Sequence, residues 1–195
     1  MLYTLGILIF LICILIAAVL AHDIDAAARR DAYKKVAAHF NGKTDHKGAR
    51  VVIDGINVRY DQFDIINDAP EPWHRVTIRM QGQPRRLLVD RETAIVSKVE
   101  KAFGAQDIEV GHERYDHLFV VKSDDPPWVR AHLHTEIFER HSKLPTCRLS
   151  LEKDTLCLQS RAHNYKLETI LPMIELAVLY AQACAPTKPL PAGVA

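Results

Sequence analysis

Charge is missing from the start of this chain: Met1 to Ala21 contains no Lys, Arg, His, Asp or Glu, although the 195 residues carry 25 basic and 24 acidic side chains. The acidic and basic residues nearly cancel, leaving a formal net charge of +1, so the large basic excess of a dedicated nucleic-acid binder is absent. Cysteine is scarce, with four residues and no paired spacing, which excludes a disulfide scaffold. The eight glycines never form GxGxxG or GxxxxGK[ST], and GxSxG is also lacking. What remains is an ordinary globular composition, 48% hydrophobic and 25% charged, with no internal repeat.

The uncharged start has a length that carries meaning. As a helix, Leu2 to Ala21 is about 30 Å long, the thickness of a bilayer's hydrocarbon core. Leu2, Leu5, Ile9, Leu11, Ile14 and Leu20 are the expected membrane-anchor residues. Val19-Leu20-Ala21 before His22 would pass as a signal-peptide cleavage site. No Lys or Arg precedes the apolar run, however, and the run exceeds a usual signal core, so a retained anchor is expected. Arg29, Arg30, Lys34 and Lys35 follow the span and none precedes it. That bias predicts an inner (cytoplasmic) membrane protein with its soluble domain in the cytoplasm, a periplasmic domain being the alternative.

The chain divides into an anchor (1–21), a helical stalk (22–42), an α+β domain (43–185) and a proline-rich tail (186–195). Ile24, Ala28, Ala32, Val36 and Phe40 form one stripe along the stalk, and Asn41-Gly42 supplies its stop signal. The stripe either packs on the chain's own domain, the favoured reading, or lies along a partner's helix. The expected domain is a mixed antiparallel sheet packed with about three helices. Asp54-Gly55 between two β-branched runs predicts a type I′ hairpin. Asp68 to Pro72 reads as a proline loop, Arg75 to Met80 and Arg86 to Val89 as strands joined by a turn at Gln81 to Pro84, and Ile95 to Phe103 as a helix. Ile108 to Val110 and Leu118 to Val121 read as strands. Asp125-Pro126-Pro127 opens a helix whose inner side is Val129, Leu133, Ile137 and Leu144. Trp73 and Trp128, each beside a proline, read as loop anchors. In Cys147 to Gln159 a turn at Lys153-Asp154 pairs Leu151 with Leu156 and Leu149 with Leu158, and puts Cys147 and Cys157 on opposite faces. Reduced, unpaired cysteines follow.

Residues 170–185 contain one charge, Glu175, so the last helix must be buried on more than one side. Burial in its own fold is the default; otherwise Ile170, Ile174, Val178 and Tyr180, with Val36 and Phe40 of the stalk, are the candidate partner interface. Ten histidines invite a metal reading that spacing rejects. His112 and His117 miss HExxH by one residue, and Tyr115 to Val121 reads as a strand. His132 and Glu136 share a helix face, and His134 and His141 read as solvated. No metal or other cofactor is expected. A catalytic alternative uses His112, Asp116 or His117 in a cleft.

The run Tyr115 to Asp125, followed by a helix, a leucine-rich hairpin and a last helix, resembles a pattern in uncharacterised bacterial membrane-anchored proteins. There an F-D-x-x-F-x-V strand precedes an acidic turn and a helix. The resemblance covers about Gly111 to Leu158, with Tyr115 in place of the first Phe. It implies a bacterial, membrane-tethered α+β module and no activity. Together these features describe a single-pass, non-catalytic subunit or adaptor of a larger membrane complex, with respiratory and photosynthetic assemblies as natural hosts. A membrane-tethered hydrolase or ligand-sensing domain is the alternative. The expected partners are the bilayer and an integral membrane complex, without nucleic acid.

Overall fold

The computed structural model describes residues 2–66, 70–80, 85–91, 107–162 and 164–185. The expected turn at 81–84, helix at 95–103 and tail at 186–195 lie outside the described residues. The fold is α+β, with a long apolar N-terminal helix, an eight-stranded sheet and several shorter helices. Helix α1 runs from Leu2 to His39 without a break, so the expected anchor and stalk are one rod. The strands are β1 (Lys43–Asp45), β2 (Gly48–Ile53), β3 (Ile56–Ile66), β4 (Pro70–Arg79), β5 (Leu87–Arg91), β6 (Phe119–Ser123), β7 (Arg148–Glu152) and β8 (Thr155–Arg161). Among the described residues, four further helices are α2 (Glu113–Leu118), α3 (Pro126–His132), α4 (Thr135–Ser142) and α5 (Leu167–Cys184). The sheet order is β1-β2-β3-β4-β8-β7-β5-β6, and every pairing is antiparallel.

Local chemistry accounts for most of these elements. Asp54 and Gly55 both take positive φ, 51° and 78°, as the predicted type I′ turn requires. The leucine register also holds: Leu149 faces Leu158, Leu151 faces Leu156, and all four are fully buried. Asp125 caps α3 by accepting from the Trp128 amide at 3.0 Å. Cys13, Cys147, Cys157 and Cys184 are thiols, not disulfides.

Several boundaries differ from expectation. Pro70 and Pro72 belong to β4, facing Ile66 and Asp64 of β3. They are tolerated because β8 pairs with β4 only from Trp73 onward, so on that side a missing N–H breaks no ladder bond. The long helix expected after Asp125 is broken at the extended residues Leu133 and His134 into α3 and α4. Ile108 to Val110 is not a strand; Ile108 donates one amide bond to Val121 of β6. Residues 115–118 are helical rather than extended. His112 caps α2 through Nδ1, and Asp116 accepts from the amides of Val110, Gly111 and His112, each at 3.0 Å.

Helices cover one face of the sheet. The lower half of α1 packs on β1, β2 and β3, while α5 lies over β3, β4 and β8 with α1 and α4 on its flanks. This explains how an almost uncharged helix is accommodated: half of it is buried on the sheet and its neighbours. Ala32, Tyr33, Val36 and Ala37 of α1 are buried as well, so the striped segment packs on its own domain. Ile24, at the top of the stripe, stays 70% exposed.

α1 ends in a Schellman arrangement. Asn41 takes φ 53°, its amide bonds Ala38, and the Gly42 amide bonds Ala37 at 2.7 Å. A Cβ on Gly42 would stand 2.4 Å from the Arg50 carbonyl oxygen and 2.6 Å from Val51 Cγ1. Gly42→Ala is therefore expected to lower the stability of the full chain in detergent by about 1–3 kcal/mol through overpacking, read by denaturant unfolding. An unchanged midpoint would show that α1 and β2 do not meet this closely.

Candidate functional site

Two features stand out: the junction where α1 meets the domain, and the β1 to β4 part of the sheet face opposite α1 and α5. At the junction β3 runs on past its last partner in β2, where Ala49 faces Tyr60, so residues 61–66 have a free edge. The first charged turns of α1 fill that gap. Tyr33 Oη accepts the Gln62 amide at 3.2 Å. One turn earlier, Arg29 donates to Asp25 at 2.7 Å and grips both oxygens of Asp64 at 2.6 and 3.1 Å. Tyr165, preceding α5, donates its hydroxyl to Asp25. Asp64 raises the Arg29 pKa above its ordinary value, and burial raises that of Tyr165, so Arg29 stays charged and Tyr165 keeps its proton across the physiological range.

The opposite face is rich in arginine over β1 to β4. Strand register sets Lys43, Arg50, Arg59, Thr77, Cys157, Ser150, Leu88 and Lys122 in one row across the sheet, exposed at Lys43 and Arg50 and buried at Leu88 and Lys122. The adjacent row holds Asp61, Arg75, Gln159 and Arg148. Asp61, only 4% exposed, binds Arg75 at 2.6 Å and Arg59 at 3.2 Å, keeping two guanidinium groups in fixed positions. Arg75 also lies over the Phe63 ring at 4.8 Å. Two clefts border this face. One, of about 550 Å³, lies at the junction and is lined by Arg29, Arg30, Lys47, Arg59, Asp61 and Arg75 among others. The second, of about 1200 Å³, wraps the far end of β2 and β3 beside Phe40, Arg50, Val52 and Arg79.

The residues singled out in the sequence are distributed differently. Leu11, Ile14 and Leu20 are exposed on α1, and Leu2, Leu5 and Ile9 lie in the same helix. Val36, Ile170, Ile174, Val178 and Tyr180 are buried in the chain's own core, and Phe40 packs against it, so the fold itself occupies these candidate interface residues. His112 and Asp116 do meet, but as cap and loop acceptor. His117 is exposed on α2, and the His112 ring packs on Phe138. Among the described residues, no three His, Cys, Asp or Glu side chains converge as a metal-ligand set.

One histidine expected on a solvated face is fully buried. His141 shares the inner stripe of Leu133 and Ile137, a spacing visible in the sequence. Its Nε2 lies 3.1 Å from the Cys147 carbonyl, which can only accept, so Nε2 carries the proton. Nδ1 therefore accepts from Tyr180 Oη at 2.9 Å, and Tyr180 in turn accepts from Tyr115 Oη at 2.8 Å. Burial pushes the His141 pKa down to about 4 and those of both tyrosines up. A matching network, Gln62 to Tyr60 to His74 to the Asn164 carbonyl, lies beneath the junction.

No family model matches the chain, and no curated protein sequence matches it. Among solved structures, the crystal structure of the mycobacterial trehalose monomycolate transport factor A, TtfA, shares the fold. It aligns over 73% of this chain and 74% of its own with a TM-score of 0.50 and 10% sequence identity. At that identity the likeness is one of architecture.

The buried histidine makes a pH prediction. Its folded pKa lies below the ordinary 6.5, so the associated stability is complete above pH 6.5 and is lost as pH falls toward 4. The expected loss is roughly 3 kcal/mol. His141→Phe should start less stable at neutral pH, because Tyr180 loses its acceptor, and should decline less across that window; parallel declines would refute the assignment. At the junction, Arg29→Met should destabilise the chain by about 1–2 kcal/mol. Hydrogen exchange should accelerate in residues 22–30 and not in 33–40.

Proposed function

We propose that this protein is a single-pass, non-catalytic accessory subunit or adaptor that holds its domain against a larger membrane protein complex. The observation that carries this reading is the continuity of α1. An 18-residue window of the helix has mean hydropathy 2.1 with none of it buried, while the helix's lower half is part of the domain core. A helix of this kind fixes a domain at a membrane surface, and the domain then presents the exposed β1 to β4 part of its far sheet face. α5 also has the length and hydropathy of a span, but it is half buried in the fold and reads as a core helix.

The partner surface in this reading is the arginine-rich sheet face rather than the apolar helices. Arg50, Arg59, Arg75 and Arg79 call for an acidic partner surface, and arginine suits planar, bidentate pairing with carboxylates. The fold shared with TtfA, a transport factor by its name, is compatible with an accessory role. The Lys and Arg bias after the span favours a cytoplasmic domain.

Purification of the full chain in mild detergent tests the reading. A stoichiometric integral membrane partner is expected to accompany it, and Arg50→Glu with Arg79→Glu should release that partner while the chain stays in the membrane fraction. A monomeric chain with no companion in repeated preparations would refute the adaptor role.

A further inference from the structure

We propose that the cleft at the junction binds the phosphate of an anionic membrane lipid. This inference rests on the membrane-anchor part of the reading above and is independent of any partner protein. Depth is the first argument. With the uncharged span ending at Ala21, Ala26 lies about 7 Å further along the helix, and the headgroup layer is about 5–8 Å thick on each side. Helical side chains tilt toward the N-terminus, so Arg29 and Arg30 lean back toward the bilayer. The cleft therefore opens where lipid phosphates sit.

Its chemistry fits the same ligand. Five cationic side chains line it, Arg29, Arg30, Lys47, Arg59 and Arg75, against the single acid Asp61. Three are held by carboxylates: Arg29 by Asp25 and Asp64, and Arg59 and Arg75 by Asp61. Those pairs fix donor positions without exhausting the five N–H groups of each guanidinium. Arg30 and Lys47 are exposed, and among the described residues neither is in an ion pair. They supply the excess charge, so a phosphate diester entering the cleft meets two uncompensated cations above a rigid arginine floor. Neutral zwitterionic lipids gain less, because their own ammonium group is repelled.

Native mass spectrometry of the full chain, released from micelles doped equally with phosphatidylglycerol and phosphatidylcholine, tests this. Phosphatidylglycerol should be retained in preference. Arg30→Gln with Lys47→Gln should reduce that retention roughly tenfold, while Lys34→Gln with Lys143→Gln, the same charge change elsewhere on the exposed surface, should not. A separate arm adds millimolar inorganic phosphate. Displacement of the lipid by phosphate would support a phosphate site filled from solution, and retention would support the lipid headgroup as its source. Equal retention of both lipids by all three chains would overturn the site, as would equal losses in the two double variants. Recovery of the chain in carbonate-washed membranes reports separately on the anchor, so failure of the lipid site and failure of the anchor are distinguishable.

Discussion

In the proposed membrane setting, one helix has to satisfy two solvents. The first twenty residues of α1 carry no charge and leave their described side chains exposed, and fifteen residues further on, at Val36, the same helix is as buried as any core element. A 38-residue helix with no internal glycine or proline after Gly6 offers no place to bend between those environments. The domain cannot choose its orientation independently of the anchor. The Arg29 cluster enforces this, because it ties the helix to β3 and to the start of α5 within the first turns that bear charge.

From that constraint the rest of the architecture follows. With α1 on one side of the sheet, α5 can occupy the middle of the same side, and its uncharged surface is shared among sheet, α1 and α4. On the opposite side polar residues predominate over β1 to β4, and Asp61 organises them, while Leu88 and Lys122 of the same row are buried. The Asp61 carboxylate between Arg59 and Arg75, with Asp45 4.0 Å from Arg59, compensates for close packing of like charges on neighbouring strands, which would otherwise repel. The arrangement stores positive potential in a fixed geometry rather than on mobile side chains.

Much of this was legible in the sequence because it depends on short-range pattern. The type I′ hairpin followed from Asp54-Gly55, the leucine register from four residues around Lys153-Asp154, and the start of α3 from Asp125 and its prolines. The differences arose where distant partners decide. The six-residue α2 survives on caps from His112 and Asp116, whereas Tyr115 to Leu118 taken alone has strand-forming character. The break at Leu133 and His134 turned one expected helix into two, and with it a row of histidines divided into exposed and buried members. His141 could have been found by extending the stripe from Ile137 by one turn. Asp64 could not, since it lies 35 residues from the arginine it binds.

The unbroken rod also makes the domain a lever. From His22 to His39 the helix extends about 27 Å beyond the apolar span. In a bilayer, a tilt of about 20°, the average for membrane helices, carries its far end sideways by roughly 9 Å. Because β1, β2 and α5 are packed against that end, the arginine face moves with it. If α1 spans a bilayer as proposed, the bilayer's thickness, which sets the tilt of a helix of given length, thereby sets how far the basic face stands from anything beside the anchor.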